Sequence, residues 1–257
     1  ICRFTTSDSP APRFGIIDGD IVRPLAEGET IERFPSPRTD EAISVKAVQI
    51  VAPVAPSKVV CVGRNYKDHA AEMGNAMPDE PLLFLKAPSA IIAHGETIVL
   101  PPESSQVEHE GELGVVIGRT ASHLTDDDDA LGYVLGYTCV NDVTARDLQR
   151  KDVQFTRAKS FDTFCPVGPF IETALDPSDL QVTTRVNGEV RQQGRTSAMA
   201  FPVAYLIRYI SRIMTLYPGD LISTGTPAGV SALHDGDLVE VEVEGVGTLR
   251  NQVRTAQ

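Results

Sequence analysis

The chain is expected to be mostly β with a few helices, and three features of its sequence say so. Turn dipeptides flanked by short apolar runs recur along it. β-Branched and aromatic residues concentrate in those runs. One segment alone carries a good apolar stripe at helical spacing. A length of 257 residues lies near the upper end for one domain, so a large domain with a small appendage is the natural arrangement.

The first section is short and strand-rich. Phe14 to Ile17, the dipeptide Asp18-Gly19, and Asp20 to Arg23 read as a hairpin, because Asp-Gly readily takes the positive φ of a tight turn. A polar stretch rich in Pro, Glu and Arg follows to about Asp40. Val51-Ala52-Pro53-Val54-Ala55-Pro56 reads as a stiff linker, since each proline restricts itself and its predecessor. It divides a small N-terminal domain of residues 1–55 from a main domain of residues 56–257.

In the main section Lys58 to Gly63 and Leu82 to Lys86 read as short buried strands, and Tyr133 to Val140, β-branched and aromatic, is strand-like too. Val182 to Val186, Asn187-Gly188 and Glu189 to Arg191 form a strong hairpin signal. Asp237 to Val243 alternates with period two and turns back, at Glu244-Gly245 or Val246-Gly247, into Thr248 to Val253. Pro202 to Ile213 is the best helix, with Val203, Leu206, Ile207 and Ile210 on one face packing against a sheet. Asp126 to Asp129 resembles a metal cluster, but it sits between Thr125 and Ala130-Leu131 and suits a solvated helix start better.

The formal charge of -12 excludes nucleic acid and anionic membrane surfaces as natural partners. An acidic substrate would need a local positive site. No apolar stretch approaches the ~20 residues needed to cross a bilayer, and no basic and apolar leader opens the chain, which predicts a cytoplasmic protein. Cys2, Cys61, Cys139 and Cys165 are scattered without C-x-x-C spacing and read as buried, reduced thiols.

The chemistry centres on His109-Glu110-Gly111-Glu112 and the apolar run Leu113 to Ile117. Side chains alternate along a strand, so Glu110 and Glu112 share a face about 6–7 Å apart. A hard divalent cation explains such a pair economically; an exposed edge strand with outward charges explains the pair alone equally well. Asp142 lies thirty residues after Glu112, where an apolar strand gives way to a polar segment. It suits a third oxygen ligand for Mg²⁺ or Mn²⁺, although spacing alone favours a helix cap. His69 and Glu72 share one face of a helix, the arrangement of an imidazole base oriented by a carboxylate, or of a plain surface ion pair. Met73 to Pro78 is rich in breakers and reads as a lid. Lys159-Ser160-Phe161-Asp162 and the glycine-rich turn Thr224 to Gly229 stand out without being specific on their own.

Together these segments are far more specific than any one of them. Gly63-Arg64-Asn65-Tyr66 with His69 and Glu72, then Phe84-Leu85-Lys86, then His109 to Gly118 occur in series. Asn141 to Gln149, Lys159 to Asp162, Val186 to Glu189 and Thr224 to Gly229 complete the series. It resembles the fumarylacetoacetate hydrolase family from about Lys58 to the C-terminus. The resemblance implies a mixed β-sandwich roll with a small N-terminal α+β domain, usually a homodimer. It implies Mg²⁺ or Mn²⁺ on Glu110, Glu112 and Asp142, water activation by His69 and Glu72, and a catalytic Lys159. Substrate-binding roles fall on Arg64, Tyr66, Gln149 and Thr226. The N-terminal section and the spacing around His69 resemble the bacterial branch of acylpyruvate and fumarylpyruvate hydrolases, hydroxyhepta-dienedioate isomerases and oxaloacetate decarboxylases.

The expected substrate is therefore a small 2-oxo acid or diacid, whose enolate the cation stabilises as a Lewis acid. Hydrolytic C–C cleavage of an acylpyruvate-like 1,3-dioxo acid is the leading expectation. Oxaloacetate decarboxylation or isomerisation of 2-hydroxyhepta-2,4-diene-1,7-dioate is the alternative, and a non-catalytic binding protein a more distant one.

Overall fold

The computed structural model describes residues 1–25 and 41–256, so most of the polar stretch ending at Asp40 lies outside the described residues. Strands β1 (Cys2–Thr6), β2 (Ser9–Asp18), β3 (Ile21–Pro24), β4 (Ile43–Ser44) and β5 (Gln49–Val51) form one sheet in the order β4-β3-β2-β1-β5. The expected first hairpin is present, with Asp18 opposite Ile21. Its two turn residues are Gly19 and Asp20, one position later than expected, because Gly19 takes the positive φ of 59°. This sheet docks through Phe170, which packs on the cluster of Cys2, Phe4 and Val22, and through paired backbone bonds between Ile1 and Ile171.

The rest of the chain supplies β6 (Val59–Gly63), α1 (Lys67–Glu72), β7 (Leu82–Lys86), β8 (Ile91–Ile92), β9 (Thr97–Leu100), β10 (Val107–Glu108), β11 (Gly111–Ile117) and β12 (Val134–Asn141). There follow β13 (Thr144–Ala145), α2 (Arg146–Lys151), α3 (Thr156–Lys159), β14 (Cys165–Glu172), β15 (Gln181–Val186) and β16 (Glu189–Arg195). Helix α4 (Val203–Ile213), β17 (Leu221–Ser223), β18 (Leu238–Val243) and β19 (Gly247–Thr255) complete it. A seven-stranded sheet runs β7-β6-β17-β11-β12-β14-β8, a five-stranded sheet runs β16-β15-β18-β19-β9, and β10 pairs with β13. Asn187 and Gly188 both take positive φ at the β15–β16 turn, as an Asn-Gly hairpin requires.

The central strand β11 is buried at every position because both faces of its sheet are covered. Leu113, Val115 and Ile117 pack with Leu206, Ile207 and Ile210 of α4 and with Val182, Val241 and Leu249 of the second sheet. Each such apolar side chain, fully buried, contributes about 1.5–3 kcal/mol. Val116, on the opposite face, packs with Cys61, Val140 and Cys165. Glu112 shares that opposite face by parity, so alternation carries a carboxylate to the edge of an apolar core.

Two expectations change. β7 is an edge strand, not a buried one: Leu85 is 44% exposed, and only Lys86 is wholly covered. Asp126 to Asp129 is followed by a single 3₁₀ turn at Ala130–Tyr133, where Asp129 makes no side-chain cap. The four cysteines are all buried and free. No helix among the described residues is long and apolar enough to cross a membrane.

Candidate metal centre

Antiparallel pairing of β11 with β12 sets Gly111 opposite Asn141. This register brings the residues just beyond the two strand ends together. The Asp142 N–H donates to the Glu110 carbonyl at 2.8 Å, and the Glu110 N–H donates to Asn141 Oδ1 at 3.0 Å. Glu110 thus sits in the step between β10 and β11 rather than inside a strand. One carboxylate oxygen each from Glu110, Glu112 and Asp142 lies within 4.8 Å of the others, and all three residues are buried. That burial removes the edge-strand explanation of the glutamate pair. Asp142 is no helix cap either, since Ala145 occupies the cap of α2.

The cluster is lined with cations. Lys86 Nζ donates to Asp142 Oδ1 at 2.6 Å. Lys159 Nζ bridges Glu110 Oε2 at 2.8 Å and Asp142 Oδ2 at 2.6 Å. Arg146 donates to Glu110 Oε1 at 2.5 Å and to Glu108 Oε2 at 2.7 Å. Burial opposes ionisation of Glu110, but Lys159 and Arg146 outweigh it and hold its carboxyl well below the usual carboxylate range. Burial likewise opposes the charge on Lys159, and Asp142 and Glu110 reverse the effect and raise its pKa.

Glu112 differs. Its Oε2 accepts from Ser223 Oγ at 2.5 Å and from the Gly225 N–H at 2.8 Å, both neutral donors. Burial first, then the charges of Asp142 and Glu110, push its carboxyl up to about 8. Four buried carboxylates (Glu108, Glu110, Glu112 and Asp142) therefore face three buried cations (Lys86, Lys159 and Arg146). Hard oxygen donors, carboxylate lone pairs left over by the protein's own donors, and an excess of negative charge once Glu112 ionises fit a hard divalent cation.

The pH dependence follows from that geometry. The raised pKa means that Glu112 keeps its proton at neutral pH, whereas a cation needs the carboxylate. Divalent affinity should rise with pH up to about 8 and level off beyond it. Calorimetry at pH 7 in buffers of different ionisation enthalpy should register about one proton released per ion bound. Binding with no proton release at pH 7 would show that Glu112 is already ionised.

A cavity of about 260 Å³ opens onto the triad. His69, Arg64, Gln149, Lys159 and Thr226 line it together with the three carboxylates. His69 is 6% exposed, and its Nδ1 lies 3.3 Å from Glu72 Oε2, so the pair is more than a surface contact. Glu72 does not line the cavity; its carboxylate also accepts the Gly229 N–H at 3.1 Å. Gln149 accepts from Arg146 Nη1 at 2.5 Å. Tyr66 is brought into the core with Leu113 and Val115 instead of onto the cavity wall. Its buried hydroxyl has no partner among the described residues, and burial followed by Glu112 raises its pKa.

Residues 58–254 match the family model described as "Fumarylacetoacetate (FAA) hydrolase C-terminal". The chain belongs to the fumarylacetoacetate hydrolase family. It is 40% identical over 263 residues to the oxaloacetate tautomerase YisK of Bacillus subtilis, covering 92% of this chain and 87% of that protein. A crystal structure of 5-carboxymethyl-2-hydroxymuconate delta-isomerase from Mycobacterium smegmatis superposes with a TM-score of 0.90 at 44% identity, covering 99% of both chains. The 2-hydroxyhepta-2,4-diene-1,7-dioate isomerase structure from Mycobacterium marinum gives 0.88 at 43% identity, covering 99% of this chain and 97% of that one.

Within this family member, several residues that shape the site had no role assigned from sequence. Lys86 and Arg146 stand inside the quoted motifs, yet nothing local marks a lysine or arginine as buried against carboxylates. Gln192 carried no signal at all. It is the one buried residue of β16, and it ties three segments together. Its Oε1 accepts from the Gly111 N–H at 3.0 Å and lies 2.9 Å from His109 Nδ1. Its Nε2 donates to Thr226 Oγ1 at 2.6 Å and to the Pro227 carbonyl at 2.7 Å. The Thr226 hydroxyl donates to the Gly111 carbonyl at 2.8 Å, so toward a ligand it can only accept.

Gly111, between the two glutamates, is required by close approach. A Cβ there would lie 2.0 Å from Thr184 Oγ1, with Val241 Cγ1 next at 3.2 Å. Gly111→Ala should destabilise the protein by about 1–3 kcal/mol and weaken divalent binding. Adding Thr184→Ala should recover most of both, measured by denaturant midpoints with and without Mn²⁺. A double variant no better than the single one would rule out the Thr184 contact as the cause.

Proposed function

We propose that the protein holds Mg²⁺ or Mn²⁺ on Glu110, Glu112 and Asp142 and catalyses proton transfer at the carbon next to the keto group of a small 2-oxo diacid. Keto–enol tautomerisation of an oxaloacetate-like substrate is the form of this reaction that we favour. The observation that carries it is the convergence of the buried triad, the Lys159 ammonium and the His69 imidazole on one cavity. Relatives at 40–44% identity that are named for tautomerisation and isomerisation support the choice of proton transfer over bond cleavage.

A bound cation supplies Lewis acidity at the keto oxygen and a counter-charge for the enolate. The remaining work falls on side chains. Lys159, held between Glu110 and Asp142, presents a second positive charge to the oxygen where negative charge develops. Arg146 fixes Glu110 and Gln149 at once. His69, oriented by Glu72, would take the proton from carbon and hand it to the enolate oxygen, directly or through water, and run the same path in reverse on ketonisation. Burial of the centre keeps water from screening these charges.

Hydrolysis of an acylpyruvate is the second reading, favoured specifically by the His69–Glu72 pair, which is also suited to activating water. Mg²⁺-loaded protein should be incubated with oxaloacetate, acetylpyruvate and fumarylpyruvate, following enol absorbance and pyruvate together. Accelerated loss of the oxaloacetate enol without pyruvate supports tautomerisation; pyruvate from the acylpyruvates supports hydrolysis. No turnover of any of the three would defeat both readings.

A further inference from the structure

We propose that Arg150, acting with Arg64, forms a subsite that binds the second carboxylate of the substrate and so sets a preference for 2-oxo diacids over 2-oxo monoacids. The inference rests on the proposed function and adds a residue that no sequence motif singled out. Acidic residues outnumber basic ones in this chain by 35 to 23, so an arginine has carboxylates to choose from. Arg146 takes two of them. Arg64 and Arg150 line the same cavity, and among the described residues neither has a carboxylate partner.

Their settings suit a ligand. Arg64 makes no hydrogen bond or ion pair among the described residues and holds φ at 56°, a left-handed conformation that is strained for a non-glycine residue. Arg150 Nη1 donates to the neutral Gln106 Oε1 at 3.2 Å. Gln106 in turn donates to Glu108, which is bound by Arg146. The Arg150 guanidinium is thereby tethered to the network that holds Glu110, while its other N–H groups stay available for bidentate contact with a carboxylate.

The rest of the cavity wall makes the need plain. Lys159 bridges two carboxylates of the triad, and Lys86, behind it, does not reach the wall. Leu82, Phe84, Met73 and Phe155 offer a second carboxylate no compensation, and Asn75 and Gln149 offer it no charge. A diacid whose keto-acid end is held at the triad thus leaves its other carboxylate to the two arginines, whereas a monoacid leaves them without a partner.

The test compares oxaloacetate with its 4-methyl ester, which has the same skeleton without the distal charge, in wild type, Arg150→Met and Arg150→Lys. Arg150→Met should raise KM for oxaloacetate about tenfold, leave KM for the ester unchanged, and change kcat little; Arg150→Lys should restore part of the loss. Equal changes for both compounds, or none, overturn the inference while leaving the proposed function standing. Should the wild type turn over neither compound, the proposed function fails, and binding decides the inference. Calorimetry with Mg²⁺-loaded protein then compares 2-oxoglutarate with 2-oxovalerate. A preference for the diacid that Arg150→Met erases supports the subsite, and no preference, or one that survives the substitution, overturns it.

Discussion

Asp142→Asn should destabilise the cation-free protein by about 3–5 kcal/mol, whereas Glu112→Gln should leave it equally stable or more so. The two residues are neighbours in one cluster, and their surroundings set them apart. Asp142 accepts from Lys86 on one oxygen and from Lys159 on the other, so neutralising it strands buried positive charge. Glu112 is held only by Ser223 and the Gly225 N–H, and burial already drives its carboxyl up to about 8. An amide there keeps the acceptor oxygen and removes a charge that the cation-free site disfavours. Urea unfolding in the presence of a chelator reads the difference. Excess Mn²⁺ should then stabilise the wild type alone, because each substitution removes a ligand. Equal losses in both variants would mean that Glu112 is as well paired as Asp142, contrary to the charge count.

His69→Ala should lower kcat by about 10²–10⁴ with divalent affinity unchanged. The imidazole lines the cavity but lies outside the three-carboxylate cluster, so removing it takes away a proton carrier and leaves the ligand set intact. Glu72→Ala tests which reaction that carrier serves. If His69 activates water, loss of its orienting carboxylate should abolish pyruvate release from acylpyruvates. If it moves a proton at carbon, oxaloacetate tautomerisation should fall yet persist. Parallel measurement of the two reactions in both variants, with Mn²⁺ binding by calorimetry, separates the cases. Loss of metal binding in His69→Ala would place the imidazole in the coordination sphere instead.

Local pattern made much of the fold legible. Asn187-Gly188 announces its hairpin because few residues tolerate two successive positive φ values, and the stripe from Val203 to Ile210 announces α4 because a sheet must cover it. The edge position of β7 was not legible, since Leu82 to Leu85 is as apolar as a central strand and only the strand order reveals its exposed side. The site divides similarly. Glu110 and Glu112 are visible as a period-two pair, but Asp142 looks like a helix cap until the β11–β12 register brings it to Glu110. Lys86, Arg146 and Gln192 owe their place in the site to what surrounds them, and a polar side chain does not advertise in sequence that folding will bury it or aim it into a cavity.

A crystal grown with Mn²⁺ and measured for anomalous scattering tests the metal centre most directly. One strong peak is expected in the space between Glu110, Glu112 and Asp142, absent from Glu112→Gln crystals treated in the same way. Wild-type crystals with no peak there in saturating Mn²⁺ would contradict the account.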